Sequence, residues 1–344
     1  MKSGGIIRFF VCCILGFSIL VYNSVNILGY SPQKEKNQPL TEITFFDDSF
    51  NFEEKLQISQ NTVNAQNTQN TQTFVEVATG AVKGNIISKY ISPYNASLSY
   101  DSIYVKNNTS LSPNLKKLLS QDLTFKIKQT NEPQVLIMHT HTTETFMPTD
   151  STVYTENFES RTTDNSRNMA RIGEIVSERL NGAGIVTLHD KTQHDYPEYT
   201  GSYTRSAKTI NSYLKKYPSI KIVLDLHRDA VSSGESDKVK LVTEIQGKKA
   251  AQVMLVMGSQ SGSVTNYPNW QENFKLAIRL QQKMEKMYPT LARPLMLMSK
   301  NYNQSLSNGS LLIEFGTDAN SLEEAHYSAT LVSDALVSLL NDLK

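Results

Sequence analysis

The chain has 344 residues, with 34 Lys and Arg residues against 33 Asp and Glu residues. This near balance of charge gives no basic field of the kind that attracts nucleic acid, so we expect no nucleic-acid partner. Both cysteines, Cys12 and Cys13, lie in an apolar N-terminal run. The rest of the chain therefore has no cysteine nucleophile, no cysteine-ligated zinc finger and no disulfide.

The N-terminus has the pattern of a membrane anchor. Residues 1–8 contain Lys2 and Arg8, and the mainly apolar residues 9–29 follow. About 20 mainly apolar residues are enough to span a bilayer as a helix. The alternative is a cleaved signal peptide, but no small-residue cleavage motif follows the run. We predict a single-pass anchor at residues 9–29, with residues 1–8 in the cytoplasm and the rest of the chain outside the cell membrane.

A polar segment separates this anchor from the rest of the chain. Residues 30–74 carry little hydrophobic pattern, and residues 60–73 are nearly all Asn, Gln and Thr. Such a segment cannot bury enough apolar surface to offset the entropy of ordering it, so we predict a flexible linker. Apolar residues return at 75–130, with a strand-like run at 100–105 and a helix-like run at 115–119. We interpret this part as a small lead-in region before a catalytic domain at residues 131–344.

Strand-like and helix-like patterns alternate through residues 131–344. Strands are predicted at 135–138, 185–188, 220–226, 239–246, 251–257, 295–298 and 311–315, and helices at 164–182, 202–216, 271–287 and 322–343. The turn at Gly247 and Lys248 predicts an antiparallel hairpin. This alternation is typical of an α/β domain, and we predict a mixed, mostly parallel sheet flanked by helices.

Ionisable residues cluster where the predicted strands end. The candidates are His139, His141 and Glu144 after the first strand, His189 and Asp190 after the second, His227 after the third, and Glu314 in the last. Ligands usually bind at the carboxyl ends of strands in open α/β sheets. Imidazole and carboxylate are the ligands of zinc in hydrolytic sites. The sequence therefore predicts a metal-dependent hydrolase, with His139, His141, Glu144 and His227 as candidate metal ligands.

Two further residues are candidates for chemistry. Glu314 lies in an otherwise apolar strand, where a carboxylate is costly unless it is paired or functional. We predict that it is the general base that takes a proton from water and returns it to the leaving amine. The alternative is an ion pair with Arg228 or Arg205. Arg228 is a candidate donor to a substrate carbonyl or carboxylate, and its alternative is a salt bridge to Asp229 or Asp225.

Three short motifs carry a resemblance to a known family. They are LIMHTHTTE at residues 136–144, DLHRDA at residues 225–230 and LLIEFG at residues 311–316. Together they resemble the stage II sporulation protein P family. Their order, His and Glu, then His, then Glu in a late strand, is also similar to that of the zinc-dependent N-acetylmuramoyl-L-alanine amidases. The resemblance covers about residue 75 to the end, and the N-terminal anchor agrees with it.

The resemblance implies the fold of those amidases, a Zn2+ cofactor and hydrolysis of peptidoglycan. The bond cleaved would be the amide between N-acetylmuramic acid and L-alanine, with peptide-crosslink endopeptidase activity also attributed to the family. It further implies a location at the septal membrane of a sporulating cell. The implied partners during engulfment are the stage II sporulation proteins D and M.

The motif departs from the amidases at one point. Their first zinc histidine follows a glycine, and their zinc glutamate comes well after it, near the start of the next helix. Here Thr140 precedes His141, and Asp164 occupies roughly that later position. The ligand set is therefore His139 or His141, or both, with Glu144 or Asp164, and with His227. We prefer Glu144, and the spacing does not choose between the histidines, because alternate residues of a regular strand project to the same side.

Two rival functions compete with this prediction, one a different metallohydrolase and one of another class. A barrel amidohydrolase would need more strand–helix units than the roughly 210 residues after Asn131 supply. A non-catalytic wall-binding or scaffold protein of the septal membrane would need no ligand set and no base, and metal analysis with a peptidoglycan digest would distinguish it.

Overall fold

The structure is a computed structural model that describes residues 80–344. The predicted cytoplasmic N-terminus, anchor and linker, at residues 1–8, 9–29 and 30–74, lie outside the described residues. Among residues 80–344, no helix is long and apolar enough to cross a membrane.

Thirteen strands and five α-helices make up the described part of the chain. The strands are β1 Val82–Lys89, β2 Leu98–Tyr100, β3 Ile103–Asn107, β4 Val135–Met138, β5 Val153–Thr155, β6 Thr187–His189, β7 Ile222–Asp229, β8 Ser232–Ser233, β9 Asp237–Ile245, β10 Lys248–Ala251, β11 Val253–Gly258, β12 Leu295–Met298 and β13 Ser310–Thr317. The helices are α1 Leu115–Ser120, α2 Met169–Gly182, α3 Ser202–Lys216, α4 Trp270–Met287 and α5 Leu322–Asp342. A 3-10 turn spans Gln304–Leu306.

The strands form two sheets. The larger has eight strands in the order β2-β3-β12-β11-β13-β7-β4-β6, and the smaller has the order β10-β9-β1-β5 with β8 paired to β9. The described part of the predicted lead-in region contributes to both sheets, because β3 pairs with β12 and β1 pairs with β5 and β9. These residues therefore share their sheets with strands from residues 131–344.

The predicted α/β class and mixed sheet are confirmed, but the prediction that the sheet is mostly parallel is wrong. The two sheets contain six parallel and five antiparallel strand pairs. Two antiparallel pairs come from two-residue hairpin loops, Asp101 with Ser102 and Gln246 with Gly247, in which both residues have positive φ. Such loops reverse the chain with the twist that paired strands need.

The predicted second strand of the hairpin divides between the two sheets. β10 pairs with β9 in the smaller sheet, whereas β11 lies between β12 and β13 in the larger one. The buried Gln252 lies at the break, and its side-chain amide donates to the carbonyl oxygens of Ile91 and Thr290. The single apolar run at residues 251–257 therefore contributes residues to strands of both sheets.

Helices cover both faces of the larger sheet around β4. Val135 and Ile137 belong to the core cluster that includes α2, α4 and α5, whereas Leu136 and Met138 pack with Ile210 of α3 on the opposite face. Successive side chains of a strand point to opposite faces, so a strand covered on both sides is apolar throughout. The buried β4 ends directly before the polar turn that carries the candidate ligands.

Candidate metal site

The structure brings together three of the predicted metal ligands. One ligand atom from each of His141, Glu144 and His227 lies within 4.8 Å of the others, and all three residues are buried. Nδ1 of His141 lies 3.6 Å from Oε1 of Glu144, and Nδ1 of His227 lies 3.6 Å from Oε2. The carboxylate of Glu144 is therefore flanked by two imidazole nitrogens, and we call these three residues the HEH cluster.

Two neighbouring strands position this cluster. After β4 the chain turns, with the Glu144 amide donating to the carbonyl oxygen of His141, so that both side chains face the same point. His227 lies in β7, the parallel neighbour of β4. The end of one buried strand and the adjacent strand thus supply all three groups, as expected for the carboxyl edge of such a sheet.

Hydrogen-bonding groups behind the histidines orient their rings. Nε2 of His227 lies 2.9 Å from Oδ1 of Asp225, although the angle departs from that of a linear hydrogen bond. Asp225 also accepts hydrogen bonds from the amide and the hydroxyl of Thr140. Nε2 of His141 lies 3.1 Å from the hydroxyl of Ser202 at the start of α3. Metal-binding histidines usually have such a partner on the second ring nitrogen, which leaves the first to the metal.

The charged groups in and around the HEH cluster favour a positive charge at its centre. Burial opposes ionisation of Glu144, but its neighbours Arg228 and His227 hold the pKa of its carboxyl well below the usual range. Burial likewise opposes protonation of His227, yet the carboxylates of Asp225 and Glu144 raise the pKa of its imidazole well above the ordinary value. Positive charge is therefore favoured between these groups.

The donor set fits zinc. Two imidazole nitrogens and a carboxylate form a common set in catalytic zinc sites, which keep a fourth position open. Zinc–ligand bonds of about 2.0–2.1 Å in a tetrahedral arrangement separate the donor atoms by roughly 3.3 Å. Both separations of 3.6 Å in the HEH cluster are close to that value. His141, Glu144 and His227 are therefore the residues that would hold the ion.

Glu314 lies beside the HEH cluster. It is register-matched with His227 across the parallel strands β13 and β7. Its side chain is partly exposed, but Oε2 is buried and has no hydrogen-bond partner among residues 80–344. Burial raises the pKa of the Glu314 carboxyl to about 8, and the positive charge of His227 opposes that rise. A carboxyl group of this kind exchanges a proton near neutral pH, as a general base or acid requires.

The ion-pair alternatives for Glu314 are not found in the described structure. The guanidinium of Arg205 donates to the carbonyl oxygens of His194, Glu198 and Thr200. The guanidinium of Arg228 also donates to backbone carbonyl oxygens. Glu314 therefore forms no ion pair with Arg205 or Arg228, the two partners considered from the sequence.

Arg228 holds the loop that follows the first ligands. Its Nε donates to the carbonyl oxygen of Thr145 at 2.9 Å and its Nη2 to that of Ser160 at 2.6 Å. Its backbone amide donates to Oε2 of Glu144 at 3.2 Å. The alternative considered for Arg228, a salt bridge to Asp229 or Asp225, is not found among residues 80–344, and the guanidinium donates to backbone carbonyls of the loop instead. Arg228 therefore positions Glu144 and its loop, and its role as a donor to the substrate stays a prediction.

His139 lies outside the HEH cluster. Its Nδ1 donates to the carbonyl oxygen of Leu226 at 3.0 Å, and its Nε2 lies 2.9 Å from Nε2 of His189. Burial lowers the pKa of His139 to about 3 and that of His189 to about 4, so both rings are neutral. Gly173 of α2 leaves room for the pair, because a Cβ there would lie 2.4 Å from His189 and 2.7 Å from His139. The geometry therefore selects His141 from the two candidates.

Asp164 also lies apart from the cluster. It is exposed, and its carboxylate accepts hydrogen bonds from the amide and hydroxyl of Ser166. The side chain that caps α2 is Asn168, which accepts from the amide of Ala170. Between the two carboxylates proposed as ligand, the geometry selects Glu144.

Three residues near the cluster were not singled out from the sequence. They are Arg161, which lies in the loop between β5 and α2, and Asp195 and Tyr199, which lie in the loop between β6 and α3. Arg161 contacts Glu144, and the ring of Tyr199 stacks on that of His141 with a centroid distance of 4.7 Å. The length of the two loops was the only available signal, because long loops in compact domains often line sites.

Comparison with known proteins gives one family. The family model for "Stage II sporulation protein P (SpoIIP)" matches residues 22–337. A curated relative, stage II sporulation protein P of Bacillus subtilis (strain 168), is 29% identical over 221 residues, which cover 60% of this chain and 51% of that protein. The chain thus spans about half the length of this relative.

Solved structures give weaker likenesses. An N-acetylmuramoyl-L-alanine amidase from Clostridium difficile 630 is 12% identical with a TM-score of 0.38, covering 62% of this chain and 97% of that one. The CwlD amidase from Clostridioides difficile, in complex with the GerS lipoprotein, is 10% identical with a TM-score of 0.38, covering 61% and 98%. These scores are too low to bear on fold or activity. The family match covers most of the chain, and the chain belongs to the stage II sporulation protein P family.

Proposed function

We propose that this protein is a membrane-anchored, zinc-dependent hydrolase of peptidoglycan that acts on the septal cell wall during engulfment in sporulation. The reaction is cleavage of the amide between N-acetylmuramic acid and L-alanine, with crosslink endopeptidase activity as a second reaction of the same site. The observation that carries the proposal is the HEH cluster with Glu314 in register beside His227. Family membership supports the sporulation context.

The chain's own residues suit amide hydrolysis. A zinc ion held by His141, Glu144 and His227 would activate a water molecule and polarise the scissile carbonyl. Glu314 takes a proton from the attacking water and returns it to the leaving nitrogen. Ser202 hydrogen-bonds the imidazole of His141, and the carboxylate of Asp225 lies 2.9 Å from Nε2 of His227, so both residues support the orientation of the rings.

Family membership and the N-terminal sequence support a proposal about location and partners. The apolar run at residues 9–29 supports a single-pass anchor in the cell membrane, with the catalytic domain outside. We propose the stage II sporulation proteins D and M as partners at the septum. A pull-down from sporulating cells with the full chain tests these partners, and their absence from it would argue against them.

Metal analysis paired with a peptidoglycan digest tests the activity. The full-length protein should retain about one zinc per chain and release peptides with a new L-alanine amino end. His227→Ala should lose both properties, whereas His326→Gln, which changes a histidine on α5, should keep both. A wild-type protein with neither zinc nor new products would instead favour a non-catalytic wall-binding role. Mass spectrometry of the products separates amidase from endopeptidase cleavage.

A further inference from the structure

Arg161 lies at the edge of the HEH cluster and has no role in the mechanism above. Its Nη1 lies 2.6 Å from Oδ2 of Asp195, and its Nη2 lies 3.6 Å from Oε1 of Glu144. Its Cζ lies 4.6 Å from the ring centroid of Tyr199. The Arg161 side chain is nevertheless 38% exposed. A fixed, solvent-accessible cation therefore stands next to a candidate metal ligand.

The backbone fixes where this side chain emerges. Glu144 and Arg161 are opposite each other in an antiparallel bridge, supported by hydrogen bonds between residues 143–145 and 160–162. Asp195, the partner of Arg161, also accepts a hydrogen bond from the hydroxyl of Thr143 at 2.6 Å. The guanidinium is thus anchored through the same turn that carries Glu144, and its position relative to the cluster is set before substrate binds.

A need to neutralise the charge of Glu144 does not explain the position of Arg161. The separation of 3.6 Å from Nη2 to Oε1 is too long for a hydrogen bond. Arg228 is a closer partner of Glu144, because its backbone amide donates to Oε2 at 3.2 Å and its buried charge lowers the pKa of that carboxyl. Arg161 is more exposed than Arg228, and an exposed cation contributes little to stabilising a buried carboxylate.

The chemistry of arginine suits an anionic ligand. The planar guanidinium presents its donors in a fixed fork that matches a carboxylate, and contact with an aromatic ring holds that plane in place. In a wall peptide, the residue after L-alanine carries a carboxylate unless it is amidated. That group is up to about 7 Å from the scissile amide, the span of two extended residues. A cation beside the metal ligands is within that reach.

We propose that Arg161 binds the free carboxylate of the second stem-peptide residue and so determines a preference for non-amidated peptidoglycan. The proposal rests on the proposed function for the identity of the ligand. In this proposal, Asp195 and Tyr199 hold the guanidinium of Arg161 in place. It predicts that the protein distinguishes two substrates that differ only in one carboxylate or carboxamide.

Calorimetry on the full-length, zinc-loaded protein with Glu314→Gln, which prevents turnover, tests the proposal. The two probes are N-acetylmuramoyl-L-alanyl-D-isoglutamic acid and the corresponding D-isoglutamine compound. We expect the acid to bind about tenfold more tightly, as one charged hydrogen bond implies. Adding Arg161→Gln should abolish the difference, Arg161→Lys should keep only part of it, and Arg179→Gln on the outer face of α2 should leave it intact.

Zinc content and circular dichroism of each variant complete the experiment. Equal binding of the two probes, or binding of neither, overturns the proposal. Loss of zinc in both Arg161 variants also overturns it, because that result assigns Arg161 to holding Glu144. Since binding is measured without turnover, a preference for the acid in a protein that digests no peptidoglycan would sustain this inference while the proposed reaction fails. If the enzyme digests peptidoglycan but binds both probes equally, this inference fails while the proposed reaction stands.

Discussion

Glu314 and His227 are register-matched on the neighbouring parallel strands β13 and β7, which places a carboxyl group beside a candidate zinc ligand. Matched residues of adjacent strands lie about 4.8 Å apart and project to the same face of the sheet. The proposed proton acceptor and the candidate metal ligand are therefore held by hydrogen bonds of the sheet rather than by a flexible loop. This rigidity is what a site that moves a proton at a defined atom requires.

Glu314→Gln should remove turnover and leave the metal. The amide keeps the size of the side chain but does not accept the proton, so we expect at least a 100-fold loss of peptidoglycan hydrolysis. Zinc content should stay at the wild-type value, because Glu314 is not part of the HEH cluster. The matched control is Glu178→Gln on the exposed face of α2. Release of muropeptides at the wild-type rate by Glu314→Gln would remove it from the role of base.

Glu314 should also make the metal-free protein less stable as pH rises. Burial raises its pKa to about 8 in the fold, against about 4.3 in an unfolded chain. The folded state then binds the proton more tightly, so this stabilisation is complete below about pH 4.3 and is lost as pH rises towards 8.

Urea denaturation of the metal-free wild type and Glu314→Gln from pH 4.5 to 8.5 measures this effect. The variant should gain at least about 1 kcal/mol of unfolding free energy relative to the wild type across this window, a value reduced for the partial exposure of the side chain. Parallel curves for the two proteins would show that Glu314 has an ordinary pKa.

Asp225→Asn should weaken zinc binding without removing a ligand. Asp225 lies 2.9 Å from Nε2 of His227, where its carboxylate would strengthen the opposite nitrogen as a donor to zinc. We expect a 10- to 100-fold loss of zinc affinity, measured by competition with a chelator. Asp334→Asn, at an exposed ion pair with Arg179, is the control. An unchanged affinity would mean that the carboxylate does not support the ligand.

His139 and His141 should respond differently to substitution. His141→Ala removes a member of the HEH cluster and should lose zinc. His139→Ala should keep about one zinc per chain but lose about 1–3 kcal/mol of unfolding free energy, because it leaves buried polar partners at Leu226 and His189 unsatisfied. Metal analysis and urea denaturation of both variants test this. Loss of zinc from His139→Ala in a folded protein would reverse the assignment.

Gly173→Ala should destabilise the fold through the histidine pair. The added Cβ would lie 2.4 Å from Nε2 of His189, so the rings or α2 must shift at a cost of about 1–3 kcal/mol. Gly182→Ala in the same helix is the matched control, since its Cβ meets nothing within 4 Å. The control should be neutral or slightly stabilising in a helix. Equal thermal unfolding temperatures for both variants would contradict the tight packing at Gly173.

Much of the local structure could be predicted because it depends on short-range pattern. The helices at 202–216, 271–287 and 322–343 are predicted within one residue of α3, α4 and α5. The strand at 295–298 coincides with β12. Amphipathic spacing and turn residues act over a few positions, so the chain itself carries that information.

Partners across the sheet could not be predicted in this way. A hairpin was expected with its turn at Gly247 and Lys248, and the structure places the loop one residue earlier, at Gln246 and Gly247. The chain then moves from the smaller to the larger sheet after Ala251, and only the packing of both sheets decides that point. The prediction of a mostly parallel sheet was wrong for the same reason. Strand pairing depends on contacts between residues far apart in the chain, which local pattern does not specify.

The amino-acid sequence by itself determined that His141, Glu144, His227 and Glu314 stand at strand ends or in a buried strand, where such groups are costly unless they function. Tertiary structure alone decided between His139 and His141, because the alternation of β4 continues into His139 and directs it towards Gly173 before the chain turns. It also aligned Glu314 with His227 and brought Arg161 to Glu144 from another loop. Each of these outcomes depends on which distant segments pack together, and that is settled by burial and hydrogen bonding over the whole domain.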